Sequence, residues 1–130
     1  MDSAAIRRRL ALGLAVLTAS GLLAVAAPGE AQAAAHAHCP GRKVRILPFS
    51  TGTVLVYKRG GYICAVTLAQ KPGVRRKMSL SVQARGNRPV VDEGRYAYHA
   101  GLVMVHAGHR CVWLKGRVGR GAFSSGWILC

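Results

Sequence analysis

"KMSLSVQAR", residues Lys77 to Arg85, alternates apolar and polar side chains without a break. Met78, Leu80, Val82 and Ala84 face one way, and the polar residues between them face the other. Successive side chains of a β-strand point to opposite faces of its sheet, so this period of two predicts a half-buried strand. One face of the strand should pack on a core while the other meets water.

The segments before and after this strand repeat the β pattern. "TVLVYK" and "YICAVTLA" flank Arg59-Gly60-Gly61, a sequence typical of a hairpin turn. "GLVMVHA" and "RCVWLK" flank Gly108-His109 in the same way, which predicts a second hairpin. "KVRIL" predicts a further strand near the start of the domain.

Two segments are less regular. "RPVVDEGRYAYHAG" predicts one or two strands around an Asp92-Glu93-Gly94 turn. The tail "GRVGRGAFSSGWILC" is rich in Gly and Ser, and we expect it to be irregular until Cys130. Turns recur roughly every eight to twelve residues, which predicts an all-β fold: a small disulfide-linked antiparallel sandwich or barrel of about six to eight strands.

The first 33 residues have the organisation of a secretory signal peptide. Arg7 to Arg9 precede an apolar run from Leu10 to Ala27, and Pro28-Gly29 then breaks any helix. Ala31 to Ala33 matches the small-x-small cleavage signature. We therefore expect residues 1–33 to be removed on export, leaving a single β domain over residues 34–130 with no integral membrane span. A retained anchor is the alternative, since the apolar run is about the shortest that spans a bilayer.

All four cysteines follow the expected cleavage site. An even number of cysteines in a short exported chain predicts two disulfides and an extracellular location. Of the three possible pairings we favour Cys39–Cys64 and Cys111–Cys130, because each links a chain terminus to a nearby strand. A zinc site is disfavoured because the chain has no Cys-x-x-Cys spacing.

Basic charge is the strongest functional signal. The chain carries 19 Lys and Arg against 4 acidic residues, and removal of residues 1–33 leaves a net charge of +14 with only Asp92 and Glu93 as acids. Such a surface attracts anionic polymers outside the cell, such as those of the cell wall, and nucleic acid without sequence preference. The candidate binding residues are Arg42, Lys43, Arg45, Arg75, Arg76, Lys77, Arg85 and Arg88.

Catalytic patterns are weak. Asp92 and Glu93 are adjacent, so on a strand or tight turn they point apart and do not form a hydrolytic carboxylate pair. Ser124 or Ser125 with a histidine and Asp92 forms a triad only on paper, since no G-x-S-x-G motif is present. We therefore predict that the protein is not an enzyme and has no cofactor.

One metal site depends on the cleavage position. If Ala34 becomes the first residue, its amine, two backbone amides and the His36 imidazole can form a square-planar site of the kind that Cu(II) and Ni(II) prefer. If cleavage falls elsewhere, His36 and His38 belong to a leader before the first disulfide.

The order Cys39, "STGTVLVY", "CAVTLAQKPG" from Cys64, "VVDEGRYAYHAG", "VMVHAGHRCVWLKG" and Cys130 resembles the spore-associated protein A family. These are small secreted proteins of sporulating filamentous actinobacteria, and the resemblance covers nearly all of residues 34–130. It implies association with spores and aerial hyphae and brings no catalytic residue. This chain is more basic than is usual for the family.

These observations predict a secreted, non-enzymatic protein of the cell or spore surface that binds anionic polymers. One alternative is a cationic antimicrobial or membrane-active protein with Trp113, Phe123 and Trp127 as apolar anchors. A second alternative is a small secreted protease inhibitor that presents a disulfide-braced loop near Cys111.

Overall fold

The computed structural model describes residues 38–130, which form eight antiparallel strands and no helix. The predicted all-β, disulfide-linked sandwich is confirmed. The expected boundary between signal peptide and domain, at residues 33 and 34, lies outside the described residues. The strands are β1 (Arg42–Phe49), β2 (Gly52–Arg59), β3 (Tyr62–Ala69), β4 (Arg76–Ala84), β5 (Val90–Tyr96), β6 (His99–His106), β7 (Val112–Val118) and β8 (Gly121–Ile128).

The strands form two four-stranded sheets. Sheet I has the order β1-β2-β3-β6, and sheet II has the order β5-β4-β7-β8. The chain changes sheet three times, between β3 and β4, between β5 and β6, and between β6 and β7. The other four connections join hydrogen-bonded neighbours within a sheet.

The core lies between the sheets and includes the inward face of β4. Met78, Leu80 and Val82 have no exposed surface, and Ala84 is 1% exposed, as the alternation in the sequence predicts. Full burial of such a side chain contributes about 1.5–3 kcal/mol to folding. Gly116 of β7 also faces this core, where an added Cβ would lie only 2.5 Å from a methyl carbon of Val54 on β2, in sheet I.

The predicted hairpin between β2 and β3 is confirmed. Arg59 pairs with Tyr62, so Gly60 and Gly61 form a two-residue loop. Gly60 has a φ of 58°, which an L side chain rarely adopts and which the primed hairpin turns require.

The predicted hairpin at Gly108-His109 is wrong. The strand before this turn, β6, pairs with β3 in sheet I, whereas the strand after it, β7, pairs with β4 in sheet II. The turn therefore carries the chain from one sheet to the other. A turn sequence specifies a reversal of direction, but not whether the two strands pair with each other or pack in different layers.

The predicted Asp92-Glu93-Gly94 turn is also wrong, because these residues lie in the middle of β5. The Asp92 carboxylate accepts hydrogen bonds from the Tyr96 hydroxyl at 2.6 Å and from the Gly101 amide at 2.7 Å. Gly101 belongs to β6, so Asp92 links the edges of the two sheets. Because the Asp92 side chain binds Tyr96 and Gly101, and not the backbone beside it, it does not stabilise a turn.

The glycine- and serine-rich tail is a strand, not an irregular segment. Residues 121–128 form β8, which pairs with β7. The Ser125 hydroxyl accepts a hydrogen bond from the Leu114 amide at 2.9 Å, and the Phe123 ring stacks on Phe49 at 6.5 Å between centroids. These partners lie far away in the sequence or on a neighbouring strand, and they override the low strand propensity of Gly and Ser.

The two disulfides join Cys39 to Cys64 and Cys111 to Cys130, which confirms the predicted pairing. The first ties the residues before β1 to β3, and the second closes the β7–β8 hairpin. Their sequence separations of 25 and 19 residues correspond to about 3 kcal/mol of stabilisation each in the chain-entropy model. Two such bridges are typical of an oxidising, extracellular environment.

Candidate anion-binding face

The outer face of sheet II is polar and cationic. On β4 it presents Ser79 and Ser81, and on β7 it presents Trp113, Lys115 and Arg117. The alternation of these strands places their apolar residues in the core and leaves the polar set towards solvent. The neighbouring β8 adds Ala122, Ser124 and Trp127 to the same face.

Strand register brings cations and hydroxyls into rows. Lys115 is paired with Ser81 on one side and with Ser124 on the other. Arg117 is paired with Ser79 on one side and Ala122 on the other. Directly opposed residues on neighbouring strands have Cβ atoms about 4.5–5.5 Å apart, so the hydroxyls lie within reach of the same ligand as the cations.

These two rows line a shallow depression, which we call the β7 trough. Its residues are Ser79, Ser81, Lys115, Gly116, Arg117, Ala122, Phe123 and Ser124. Ala122 leaves the β8 side of the depression unfilled because its side chain is a single methyl group, and Gly116, which faces the core, adds no side chain to the outer face. The trough is open to solvent, so a polymer can bind across it without entering a closed cavity.

The hydroxyl of Ser124 accepts one hydrogen bond and can still donate another. Its oxygen accepts the indole N–H of Trp113 at 2.7 Å. Indole nitrogen is only a donor, whereas a hydroxyl both donates and accepts. The Ser124 proton therefore remains available to a ligand in the trough. Within residues 38–130 no hydrogen bond occupies the hydroxyls of Ser79 and Ser81 either.

A tryptophan pair lies at one end of the trough. The rings of Trp113 and Trp127 meet edge to face, with centroids 5.3 Å apart, and Trp127 is 37% exposed. The Lys115 ammonium lies 5.9 Å from the Trp113 ring, and the Arg85 guanidinium lies 5.6 Å from the Trp127 ring. Such cation–π contacts restrict long side chains that would otherwise be mobile, so the two cations are partly preorganised.

The acidic residues leave the trough cations unpaired. In the part of the chain that the structure describes, the only ion pair joins Lys77 Nζ to Glu93 Oε1 at 3.1 Å, with both side chains more than half exposed. Exposed pairs of this kind contribute little to stability. Asp92 is engaged with Tyr96 on β5, so no carboxylate within residues 38–130 neutralises Lys115 or Arg117.

The structure does not gather the eight predicted polyanion-binding residues into one site. Arg42, Lys43 and Arg45 lie on β1, at the edge of sheet I, and Arg75, Arg76 and Arg88 lie at or beside turns. Lys77 and Arg85 border the outer face of sheet II at opposite ends of β4.

Arg76 and Arg110 have structural partners instead. Arg76 donates to the carbonyls of Val74 and Lys71. The Arg110 guanidinium donates to three carbonyls, those of Ala107, His106 and Arg85, and so braces the connection between β6 and β7.

Lys115 and Arg117 are the residues that our candidate set omitted. Their signal is present in "VWLKGRV", where Trp113, Lys115 and Arg117 alternate with Val112, Leu114 and Gly116. The same period of two that identified β4 places both cations on one solvent-facing side of β7.

The possible catalytic triad of serine, histidine and Asp92 does not form in the folded chain. Asp92 lies on β5 and Ser124 and Ser125 lie on β8, at opposite edges of sheet II. Three strand spacings of about 4.8 Å separate these edges. Between residues 38 and 130 no group of three or more His, Cys, Asp or Glu side chains is placed to hold a metal ion.

The remaining sequence predictions fall partly outside the structure. His36, the proposed copper ligand, precedes the described residues. In the described part of the chain, no helix is long and apolar enough to cross a membrane.

Comparison of the chain with family models, with curated proteins and with solved structures found no match. The resemblance to the spore-associated protein A family stays a prediction.

Proposed function

We propose that this chain is a secreted, non-enzymatic protein of the cell or spore surface that binds anionic polymers through the outer face of sheet II. The observation that carries the proposal is the β7 trough, in which Lys115 and Arg117 lack a carboxylate partner and are flanked by serine hydroxyls. The resemblance in sequence supports a location on spores or aerial hyphae, and the net charge of +14 supports the class of ligand.

Two properties of the face suit a polymer. Lys115 and Arg117 are two residues apart on a regular strand, so their Cα atoms are about 6.8 Å apart along β7. This spacing lets neighbouring anionic groups of an extended chain bind at the same time. The central strands of a sheet also hold their side chains in register, which lowers the entropy lost when the ligand binds.

The wider charge of the domain has a different role. The cations on β1 and in the turns raise the local concentration of polyanion and speed the encounter. On β1, Lys43 is paired with Tyr57 and Arg45 with Val56, so these cations have no serine hydroxyls beside them and add attraction without a defined site. We therefore assign the sequence-predicted cluster of Arg42, Lys43 and Arg45 to long-range attraction.

The membrane-active alternative loses one of its three anchors. Phe123 faces inward and stacks on Phe49, and is therefore not available to a bilayer. Trp113 gives its indole N–H to Ser124 and packs against Trp127. The aromatic residues of this face are better placed to support the cations than to insert into lipid.

The proposal is tested by titrating the exported protein with dextran sulfate and with neutral dextran. Binding to the sulfated polymer should release counterions, so the logarithm of the affinity should fall linearly with the logarithm of salt concentration. A protein that contacts about six anionic groups loses on the order of a thousandfold between about 50 and 200 mM salt. Equal binding to neutral dextran, or binding that does not change with salt, would show that the proposal is wrong.

A further inference from the structure

We infer that the β7 trough recognises the phosphate groups of a phosphodiester polymer in preference to carboxylates of equal charge density. This inference rests on the proposed function and specifies its ligand. It follows from the directions in which the trough presents its hydrogen-bond donors, from the state of the Ser124 hydroxyl, and from the exposed indole beside the trough.

Donors surround the trough from three strands. Lys115 and Arg117 rise from its centre on β7, Ser79 and Ser81 lie on the β4 side, and Ser124 lies on the β8 side. A carboxylate accepts hydrogen bonds close to its own plane, which a single line of donors satisfies. The oxygens of a phosphate are arranged tetrahedrally, so they can accept from both sides and from the centre at once. The three-sided arrangement thus fits phosphate better.

The hydroxyls supply donors that carry no charge. Ser124 accepts the Trp113 indole N–H at 2.7 Å, which leaves its own proton directed to another acceptor. A phosphate oxygen is a strong acceptor, and its hydrogen bonds with Lys and Arg are charge-assisted. Selectivity between anions then depends on the serines, while the overall attraction depends on the cations.

Trp127 lies one row beyond the trough. The pair Trp113 and Trp127 occupies the row next to that of Lys115 and Ser124 along the strands. A phosphodiester chain that binds through the trough therefore places its next unit against the exposed indole. A chain of nucleotides offers a base that stacks on Trp127, whereas a poly(glycerol phosphate) chain has no ring to offer.

The test uses three probes of similar length and charge: poly(glycerol phosphate), oligothymidylate and polyglutamate. Binding to the exported protein is measured at fixed ionic strength. We expect both phosphodiesters to bind about tenfold or more tightly than polyglutamate, which is the effect of about one hydrogen bond to a charged group. The replacements Ser81→Ala and Ser124→Ala together should remove this preference, so that the three polymers bind the variant with similar affinities.

Control variants separate the roles of the trough residues. Thr53→Val removes a hydroxyl from sheet I and should leave the preference intact. Trp127→Ala should weaken oligothymidylate alone, which identifies nucleic acid as the source of the phosphodiester if oligothymidylate is also the tighter ligand. Tighter binding of poly(glycerol phosphate), unaffected by Trp127→Ala, identifies a wall-type polymer, and both results support the inference.

Two outcomes count against the inference, and they are distinguishable. If all three polymers bind equally well, the trough does not recognise phosphate, although the proposed polyanion binding stands. If none of them binds, the proposed function fails together with the inference. Near-ultraviolet circular dichroism of each variant shows that the fold is intact before binding is compared.

Discussion

The outer faces of the two sheets differ although both sheets pack on the same core. Sheet I exposes large apolar side chains, with Ile46 59%, Met104 47% and Leu102 40% exposed. Sheet II exposes serines and cations on its central strands, with Lys115 and Arg117 on β7, and its exposed large apolar residues, Val90, Val91 and Trp127, lie on its edge strands. The central strands also differ: from Met78 to Ala84, β4 alternates strictly between buried and half-buried positions, whereas β3 is buried at five consecutive residues, from Ile63 to Thr67.

This comparison shows that net charge alone does not locate a binding site. Both sheets carry cations, and β1 has a Lys and an Arg two residues apart, Lys43 and Arg45, as β7 does in Lys115 and Arg117. On β7, Lys115 lies between two serines, Ser81 and Ser124, and Arg117 lies beside Ser79, whereas neither cation of β1 is paired with a serine. The surroundings of a charge, more than the number of charges, should decide where a polyanion binds.

The largest expected effect comes from the core that both faces share. Leu80→Ala removes a fully buried side chain of β4 and should lower the free energy of unfolding by about 2–5 kcal/mol. Ser81→Ala, at the adjacent outward position, should change it by less than about 0.5 kcal/mol. Urea unfolding with the disulfides intact measures both. Similar losses for the two variants would contradict the burial pattern of β4.

Removal of either disulfide should have nearly the same effect on stability but different effects on binding. Replacing Cys39 and Cys64 by Ala, or Cys111 and Cys130 by Ala, should lower the free energy of unfolding by about 3 kcal/mol in each case. The lengths of the two loops that the bridges close predict a difference of only about 0.2 kcal/mol. Loss of the second bridge also releases the end of β8, which carries Trp127. Affinity for oligothymidylate should therefore fall only when the Cys111–Cys130 bridge is removed.

The control for this comparison is the thiol content. The structure has no free cysteine within residues 38–130, so non-reducing mass spectrometry of the protein, treated with an alkylating reagent, should detect no alkylation. Equal loss of oligothymidylate binding in both variants, measured where both remain folded, would show that the end of β8 does not belong to the binding face.

The close approach of the two sheets at Gly116 gives the next prediction. Its added Cβ would lie 2.5 Å from a methyl group of Val54 and 3.1 Å from the Thr67 hydroxyl. Gly116→Ala should therefore destabilise the fold by about 1–3 kcal/mol, the usual cost of overpacking a core. Ser124→Thr, on the outer face of the same sheet, also adds one methyl group but without a core contact. Thermal unfolding of the two variants compares the inner and outer sides of sheet II.

Much of the fold could be predicted from the sequence because β2, β3 and β4 carry their signals locally. The alternation from Met78 to Ala84 depends only on the period of two, and the hairpin at Gly60 depends only on its loop. The pairing of β6 with β3, and not with β7, depends on residues far apart in the sequence, so a local pattern could not reveal it. Strand β8 was missed for the same reason.

The candidate site was only partly predictable. The proposed class of ligand, an anionic polymer, follows from the net charge, which is counted directly in the sequence. The position of the site depends on register, since Ser81, Lys115 and Ser124 become neighbours only when three strands are aligned. Order along the chain identifies runs of cations such as Arg75-Arg76-Lys77. It does not show which strands will lie beside an alternating pair such as Lys115 and Arg117.

The two matched cation pairs provide the direct comparison of the faces. Lys115→Gln with Arg117→Gln and Lys43→Gln with Arg45→Gln each remove two positive charges from a strand. If the first pair contacts phosphates, its loss should reduce the salt slope for oligothymidylate by about 1.4, at about 0.7 for each contact. The second pair should change the slope by much less, because its cations attract the polymer without fixed contacts. Equal changes would mean that the protein binds by net charge alone.

The smallest expected effect concerns the joint between the sheets. Asp92 on β5 accepts the Tyr96 hydroxyl at 2.6 Å, and this hydrogen bond, followed by burial and by the carboxylate charge, raises the pKa of Tyr96 above its ordinary value of 10.0. Because the folded pKa lies above the unfolded one, the bond contributes its full stability below about pH 10 and loses it as the pH rises through the folded pKa. Tyr96→Phe should therefore lower stability at neutral pH, and the deficit should shrink in strong alkali. Tyr98→Phe, at an exposed neighbouring position, should leave the stability at neutral pH unchanged, and urea unfolding at neutral and alkaline pH compares the two variants.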